Sequence, residues 1–397
     1  MPELNGADTA WVLVSAALVM LMTPAVGFFY GGLVRQKNVL SVIMQSIFIR
    51  ALISVQWVLW GYSLAFGPDK GGIIGGLEWF GLNGVGLTAN ADYSGTIPHQ
   101  AFMIFQAMFA VITPALITGA LAERVKFKAF ILFTILWATF VYDPLAHWVW
   151  GSGGWLRNLG VLDFAGGTVV HISSGVSALV AAIVLGPRLG LGKEPMDPHD
   201  GTMSVLGAVL LWFGWFGFNA GSALAANGLA VNAFVVTNTA AAMSALTWMT
   251  VSWAHKGRPS VLGSAAGAVA GLVAITPASG FVTASGAILI GLGAGIICYF
   301  AIELKNRILK VDDALDVWGV HGIGGTWGAI ATGLFATITV NSAGADGLFY
   351  GGASLVLKQL VGVGASWVYS GVVTLLILKL LDVTVGLRVA EDEELLG

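Results

Sequence analysis

The feature that most constrains this chain is the recurrence, from end to end, of apolar runs about 20 residues long, the length a helix needs to cross a bilayer. Eleven can be delimited: 9–31, 39–66, 98–122, 129–150, 166–186, 202–226, 231–254, 261–277, 283–304, 317–337 and 354–381. No soluble domain fits between them, and the longest connection, about 67–97, is rich in glycine. Only 10% of the 397 residues are charged. A soluble domain carries about 25%, so a water-facing surface could not be covered. The 55 glycines suit helices that approach closely in a tight bundle. The expectation is an all-α polytopic membrane protein. A net charge of −3 gives no reason to expect nucleic acid, and the single cysteine, Cys298, excludes an internal disulfide. The opening MPELNGAD is acidic and lacks the basic region of a secretory signal, so the first span is expected to remain in the mature chain.

Basic residues set the expected orientation. Arg35 and Lys37, Arg124, Lys126 and Lys128, Arg188 and Lys193, Lys256 and Arg258, Lys305, Arg307 and Lys310 lie in alternate loops, and Lys379 and Arg388 flank the tail. These fourteen of the 18 basic residues fall on one side; Lys70 and Arg157 fall on the other. The positive-inside rule then puts the amino terminus outside and the carboxyl terminus in the cytoplasm. Arg50 and Lys358 lie within spans.

Two stretches share an unusual pattern. DFAGGTVVHISSG runs from Asp163 and DALDVWGVHGIGG from Asp313. Each has an aspartate, six residues, Val-His, and a glycine four residues after the histidine, at an offset of 150 positions. A repeat of five helices is odd in number, so its second copy is inverted in the membrane, with the site expected at the midplane between halves. Repeat one would cover about 9–186 and repeat two about 202–337. An eleventh helix over 354–381 and a short acidic tail over 382–397 complete one transmembrane domain spanning 1–397. Eight helical residues rise about 12 Å, and the hydrocarbon core is about 30 Å thick. His171 and His321, descending from opposite faces, should therefore meet near the centre. Either histidine alone would read as a helix pin. A symmetry-related pair at the midplane reads as a substrate or proton path, because intramembrane ionisable groups are costly. Asp163 and Asp313 begin their helices, where carboxylates cap the N-terminus; Asp163 could equally attract a cation.

Aromatic stripes flank the pair. Trp215, Phe218 and Ser222 share one helical face, as do Phe102, Phe105 and Phe109, and AHWVWG offers Trp148 and Trp150. Spacing alone leaves two readings open: ordinary packing with an interfacial belt, or an aromatic cation site above an apolar constriction.

Taken with GFFYGGLVRQKNVL, GALAERVKF, WFGWFGFNAGSA, AGLVAITPASGFV and VGLRV in order, these motifs make the chain resemble the Amt/Mep/Rh ammonium transporter family, Amt branch, over nearly its whole length. The resemblance implies a homotrimer with one pore per subunit in the plasma membrane, moving ammonium, with no enzymatic activity. It assigns Trp150, Phe109 and Ser222 to an outer ammonium site, with Asp163 beside it. Phe109 and Phe218 become a stacked gate, His171 and His321 twin pore histidines, and Trp215 a lining residue. Trp150 and Ser222 favour the charged-substrate vestibule over the neutral-gas Rh type. A P-II family regulatory protein is the implied cytoplasmic partner. Relatives' tails run further than GLRVAEDEELLG, which leaves the inner loops as the docking surface.

The physical logic is coherent. Ammonium and potassium match in charge and size, but only ammonium offers N–H donors to a serine hydroxyl. Below the gate a bare cation is very costly; ammonium can shed a proton and continue as ammonia, whereas potassium cannot. Neutral imidazoles then supply a donor and an acceptor each in a dry tube, with the proton carried separately. The alternative function is an ammonium sensor with little flux. Outside the resemblance, paired central histidines could also ligate a haem; none is expected, nor any other cofactor or metal. Arg50 and Asp143 are two further mid-span charges. Their pairing with each other, or of Arg50 at a subunit contact, would relieve a cost of about 2.5–3.5 kcal/mol for a central arginine.

Overall fold

The computed structural model describes residues 3–397. Its helices follow the apolar runs: α1 Gly6–Leu33, α2 Gln36–Phe66, α3 His99–Leu121, α4 Phe127–Leu159, α5 Gly167–Leu185, α6 Gly201–Ala223, α7 Gly228–Lys256 and, after the shorter α8 Val261–Ile275, α9 Ala284–Leu309. The tenth, α10, begins as a wide turn at Trp318–Gly322 and continues as Ile323–Phe335. Then come α11 Ala353–Thr384 and a short tail helix, α12, Glu391–Leu396. Among the described residues nine helices are long and apolar enough to cross a membrane, with α8 and α10 shorter. The loop before α3 holds two small antiparallel ladders, Asp69–Lys70 with Ile74–Gly75 and Ala89–Asn90 with Ser94–Pro98.

Burial sorts the helices. α3 is the most enclosed, while α2 and α11 keep apolar side chains such as Leu40 and Val383 about 80% exposed, a surface that suits lipid rather than water. Small residues set the closest crossings. A Cβ added at Gly207 of α6 would sit 2.3 Å from the Phe29 nitrogen of α1. One at Gly175 of α5 would sit 2.1 Å from the Gly322 nitrogen of α10. That second crossing lies one turn from His171 and immediately beside His321. Gly175→Ala is therefore expected to lower stability by about 3 kcal/mol, the upper end for overpacking. Thermal unfolding in detergent checks this, with Gly364→Ala, which meets open space, as a neutral control.

A chain of buried ion pairs joins the helix ends on one side of the bundle. Arg35 pairs with Glu123 at 2.6 Å, Glu123 with Arg188 at 3.5 Å, Arg188 with Asp312 at 3.0 Å and Asp312 with Arg124 at 2.6 Å. The tail docks beside it. Glu394, 1% exposed, accepts from Arg388 and from the Leu189 amide, and Lys37 donates to the last carbonyls of α12.

Candidate functional site

The two motif aspartates sit where helix starts need them. Asp163 accepts from the amides of Gly166, Gly167 and Thr168 at 2.7–2.8 Å and from the Thr168 hydroxyl. Asp313 accepts from the Trp318 amide, again five residues on, at 2.7 Å. Both helices then open with a π turn, Gly167–Ile172 and Trp318–Gly322, so each histidine sits in a widened segment rather than a regular helix. Such π turns recur at functional sites because they re-aim a side chain within a helix.

The rings meet. His171 Nδ1 lies 3.2 Å from His321 Nδ1, with ring centroids 5.3 Å apart and 23° between planes. Two facing nitrogens at that distance need one hydrogen between them, so one ring donates and the other accepts. Trp215 stacks on His171 at 5.3 Å and is fixed by its Nε1 donating to the Thr276 hydroxyl at 2.9 Å. His171 Nε2 is buried without a partner among the described residues. It borders an apolar cavity of about 10 Å³ lined by Phe218, Trp215, Val170 and both histidines. That volume is about one water-sized sphere.

Above this cavity Phe109 and Phe218 lie 4.2 Å apart, tilted by 36°. Beyond them opens a cavity of about 200 Å³ lined by Trp150, Phe109, Ser222, Gln106 and Tyr93. Trp150 stands edge-on to Phe109 at 6.0 Å. Its Nε1 donates to the Asp163 carbonyl at 2.9 Å, which is how the Asp163 turn fixes the indole. The Ser222 hydroxyl donates to the Phe218 carbonyl at 2.8 Å, leaving its oxygen lone pairs for a donor in the cavity. On the other side a cavity of about 300 Å³ reaches His321 between Tyr30, Asp316 and Glu303.

The structure thus gathers His171, His321, Trp215, Phe218, Phe109, Trp150 and Ser222 along one line. Asp163 stands just off it, its carboxylate engaged in the helix start rather than lining the outer cavity. Three readings that the sequence left open are decided by the geometry. Arg50 does not pair with Asp143: its Nη1 donates to the Met20 carbonyl at 3.3 Å, while buried Asp143 accepts from Gln56 at 2.9 Å. Haem ligation fails, because imidazole nitrogens in hydrogen-bond contact leave no space for iron between them and the cavity beside them is far too small for a porphyrin. Trp148 turns away from the outer cavity, donating to the Ile73 carbonyl and packing on Trp155 and Tyr369. Gln106 was not singled out by sequence; it sits one turn before Phe109 within AFMIFQAMFA, a polar side chain in an apolar stripe, which was the available signal.

Residues 10–397 match the Ammonium Transporter Family. The chain belongs to that family. Within it, the chain is 55% identical over 390 residues to an ammonium transporter of Bacillus subtilis, covering 98% of this chain and 95% of the relative. It is 51% identical to ammonium transporter Amt1 of Archaeoglobus fulgidus, covering 99% and 97%. Among solved structures, Saccharomyces cerevisiae Mep2 superposes with a TM-score of 0.92 at 39% identity, covering 98% of this chain and 88% of that one. A structure named Sensor Amt Protein also gives 0.92, at 31% identity, with 98% and 96% covered. This member of the ammonium transporter family is a multi-pass membrane protein with the Amt/Mep fold.

Proposed function

We propose that the chain takes up ammonium across the plasma membrane as a homotrimer, each subunit carrying one pore. The observation that carries this reading is the pair of contacting imidazoles lining a water-sized apolar cavity beneath two phenylalanines that close on each other at 4.2 Å. Trp150, Phe109 and Ser222 recruit ammonium. Two ring faces attract the cation by about 0.5–2 kcal/mol, and the serine oxygen accepts an N–H that potassium lacks. Asp163 holds the indole from behind and adds negative charge nearby. Phe109 and Phe218 part to admit the substrate. Below them ammonium gives up a proton and ammonia passes Trp215, His171 and His321, while the proton follows the imidazoles separately.

All eleven apolar helices cross the membrane in this reading, α1 entering from outside and α11 ending in the cytoplasm. The first ten form two inverted five-helix repeats within one domain. The matched aspartate-to-amide bonds and paired π turns support that symmetry. The inner loops are the docking face for a P-II family protein.

Purified protein reconstituted on a solid-supported membrane should give a current with ammonium and none with potassium. Current with both cations, or neutral ammonia flux with no current, would overturn the mechanism. The likeness to a protein named as a sensor supports a second reading, in which the same outer site binds ammonium with little flux. Saturable binding without current would select it.

A further inference from the structure

A histidine that no part of this mechanism uses lies one turn before Trp150. His147 is fully buried, and both ring nitrogens are engaged. Nδ1 faces the Ala65 carbonyl at 3.0 Å and Nε2 faces Asp69 Oδ1 at 2.9 Å. A carbonyl can only accept, so Nδ1 carries a hydrogen. Asp69 Oδ1 also accepts from the Gly72 amide at 2.7 Å, which favours its ionised form. The Asp69 carboxyl and the His147 ring thus lie in direct hydrogen-bond contact at Nε2. The Asp69 side chain keeps 32% exposure at the loop surface. Its hydrogen bond from His147 holds the carboxyl below the usual carboxylate range.

The pair is wedged into the turn that follows Trp150. A Cβ at Gly151 would lie 2.5 Å from His147 Nδ1, so the ring passes directly over that residue. Gly153, at φ +93°, would place a Cβ 2.6 Å from Asp69 Cβ. The Trp155 amide donates to the Gly72 carbonyl at 3.1 Å, closing the loop onto the same turn. Other ionisable groups around the pair are occupied elsewhere. Lys70 pairs with Glu78 at 2.7 Å, the Tyr93 hydroxyl donates to the Phe66 carbonyl, and Arg157 donates to the Trp150 carbonyl.

We propose that the His147–Asp69 contact is a positioning element for the outer ammonium site, tying the loop before α3 to the turn after Trp150 and so fixing the indole over the vestibule. The proposal rests on the outer-site reading given above. Neither residue touches substrate, so the expected signature is weaker recruitment with a preserved maximal rate.

Ammonium-evoked current from reconstituted protein tests this. Asp69→Ala should raise the half-saturating ammonium concentration about tenfold, or about 1.4 kcal/mol, while leaving maximal current nearly unchanged. Asp69→Asn separates positioning from folding. Its amide can donate to Nε2 or accept from it, so Asp69→Asn should recover most of the affinity that Asp69→Ala loses. Glu78→Gln, in the same loop, should track the parent throughout. If Trp150→Leu weakens recruitment but Asp69→Ala does not, the role of the His147–Asp69 contact is refuted while the outer site stands. If Trp150→Leu also has no effect, the outer-site reading fails and takes this proposal with it. A fall in maximal current alone would mark the pair as purely structural and likewise refute it.

Discussion

Leucine in place of His171 is expected to abolish the ammonium-evoked current while leaving the protein folded. The side chain is apolar and fits among Val170, Trp215 and Phe218, which line the cavity beside the ring. The substitution removes the Nδ1 contact with His321 and the unpartnered Nε2 that borders the cavity. His321 keeps access to the cavity of about 300 Å³, although its Nδ1 loses its partner. What remains beside the phenylalanines is a constriction lined largely by carbon. An ion there pays its full desolvation penalty, and the one remaining imidazole has no second ring with which to exchange a proton. Current should fall at least about 100-fold, equivalent to about 2.7 kcal/mol on the barrier. Alkalinisation of the vesicle lumen follows uncharged ammonia independently of current. Ammonia entry without current would locate the charge path on His171. An unchanged current would show that charge crosses elsewhere and would remove the relay from the mechanism.

Much of this was legible in the chain, for identifiable reasons. Apolar runs announce spans because lipid tolerates no unpaired backbone. The histidine pair was legible through a shared offset of 150 positions, now the separation of two nitrogens in contact. What composition cannot carry is partnership. Arg50 and Asp143 each advertised a cost, but their solutions are local: a carbonyl of α1 for the arginine and Gln56, six residues beyond Arg50, for the acid. The π turns beneath the histidines were invisible as well, because one inserted residue does not disturb an apolar pattern with no polar face to shift. His147 was passed over for the same reason that makes it buried: within AHWVWG it reads as one more residue of an aromatic interface. Arg124 and Arg188 serve in the sequence as markers of sidedness, and the structure also uses them as buried members of an ion-pair chain.

That chain carries the second large effect. Asp312 accepts from the Arg124 guanidinium at 2.6 Å and from the Arg188 amide at 2.7 Å, and Arg124 is 1% exposed. Asp312→Ala would leave the buried Arg124 guanidinium without its counter-charge and facing Arg188, which keeps only Glu123 at 3.5 Å. Removing one partner of a buried pair costs about 3–5 kcal/mol, so the thermal midpoint in detergent should drop by roughly 4–6 °C. The pH dependence has a definite sign. Burial alone would raise the Asp312 carboxyl, but the Arg188 hydrogen bonds and the Arg124 charge outweigh it and hold the group below its ordinary value of 3.8. A carboxyl lowered on folding adds stability that is complete above the unfolded value and is lost as pH falls through the folded one. The parent should therefore hold its midpoint through the neutral range and lose this contribution only in acid, below the ordinary carboxylate value. In Asp312→Ala that acid limb should be missing, and the two midpoints should converge as pH falls. Because Asp312 precedes the aspartate that caps α10, the loss should also loosen His321 and reduce ammonium current in the surviving folded protein. A variant that melts within about 1 kcal/mol of the parent would mean that solvent reaches these guanidinium groups and that the chain of pairs is a surface feature.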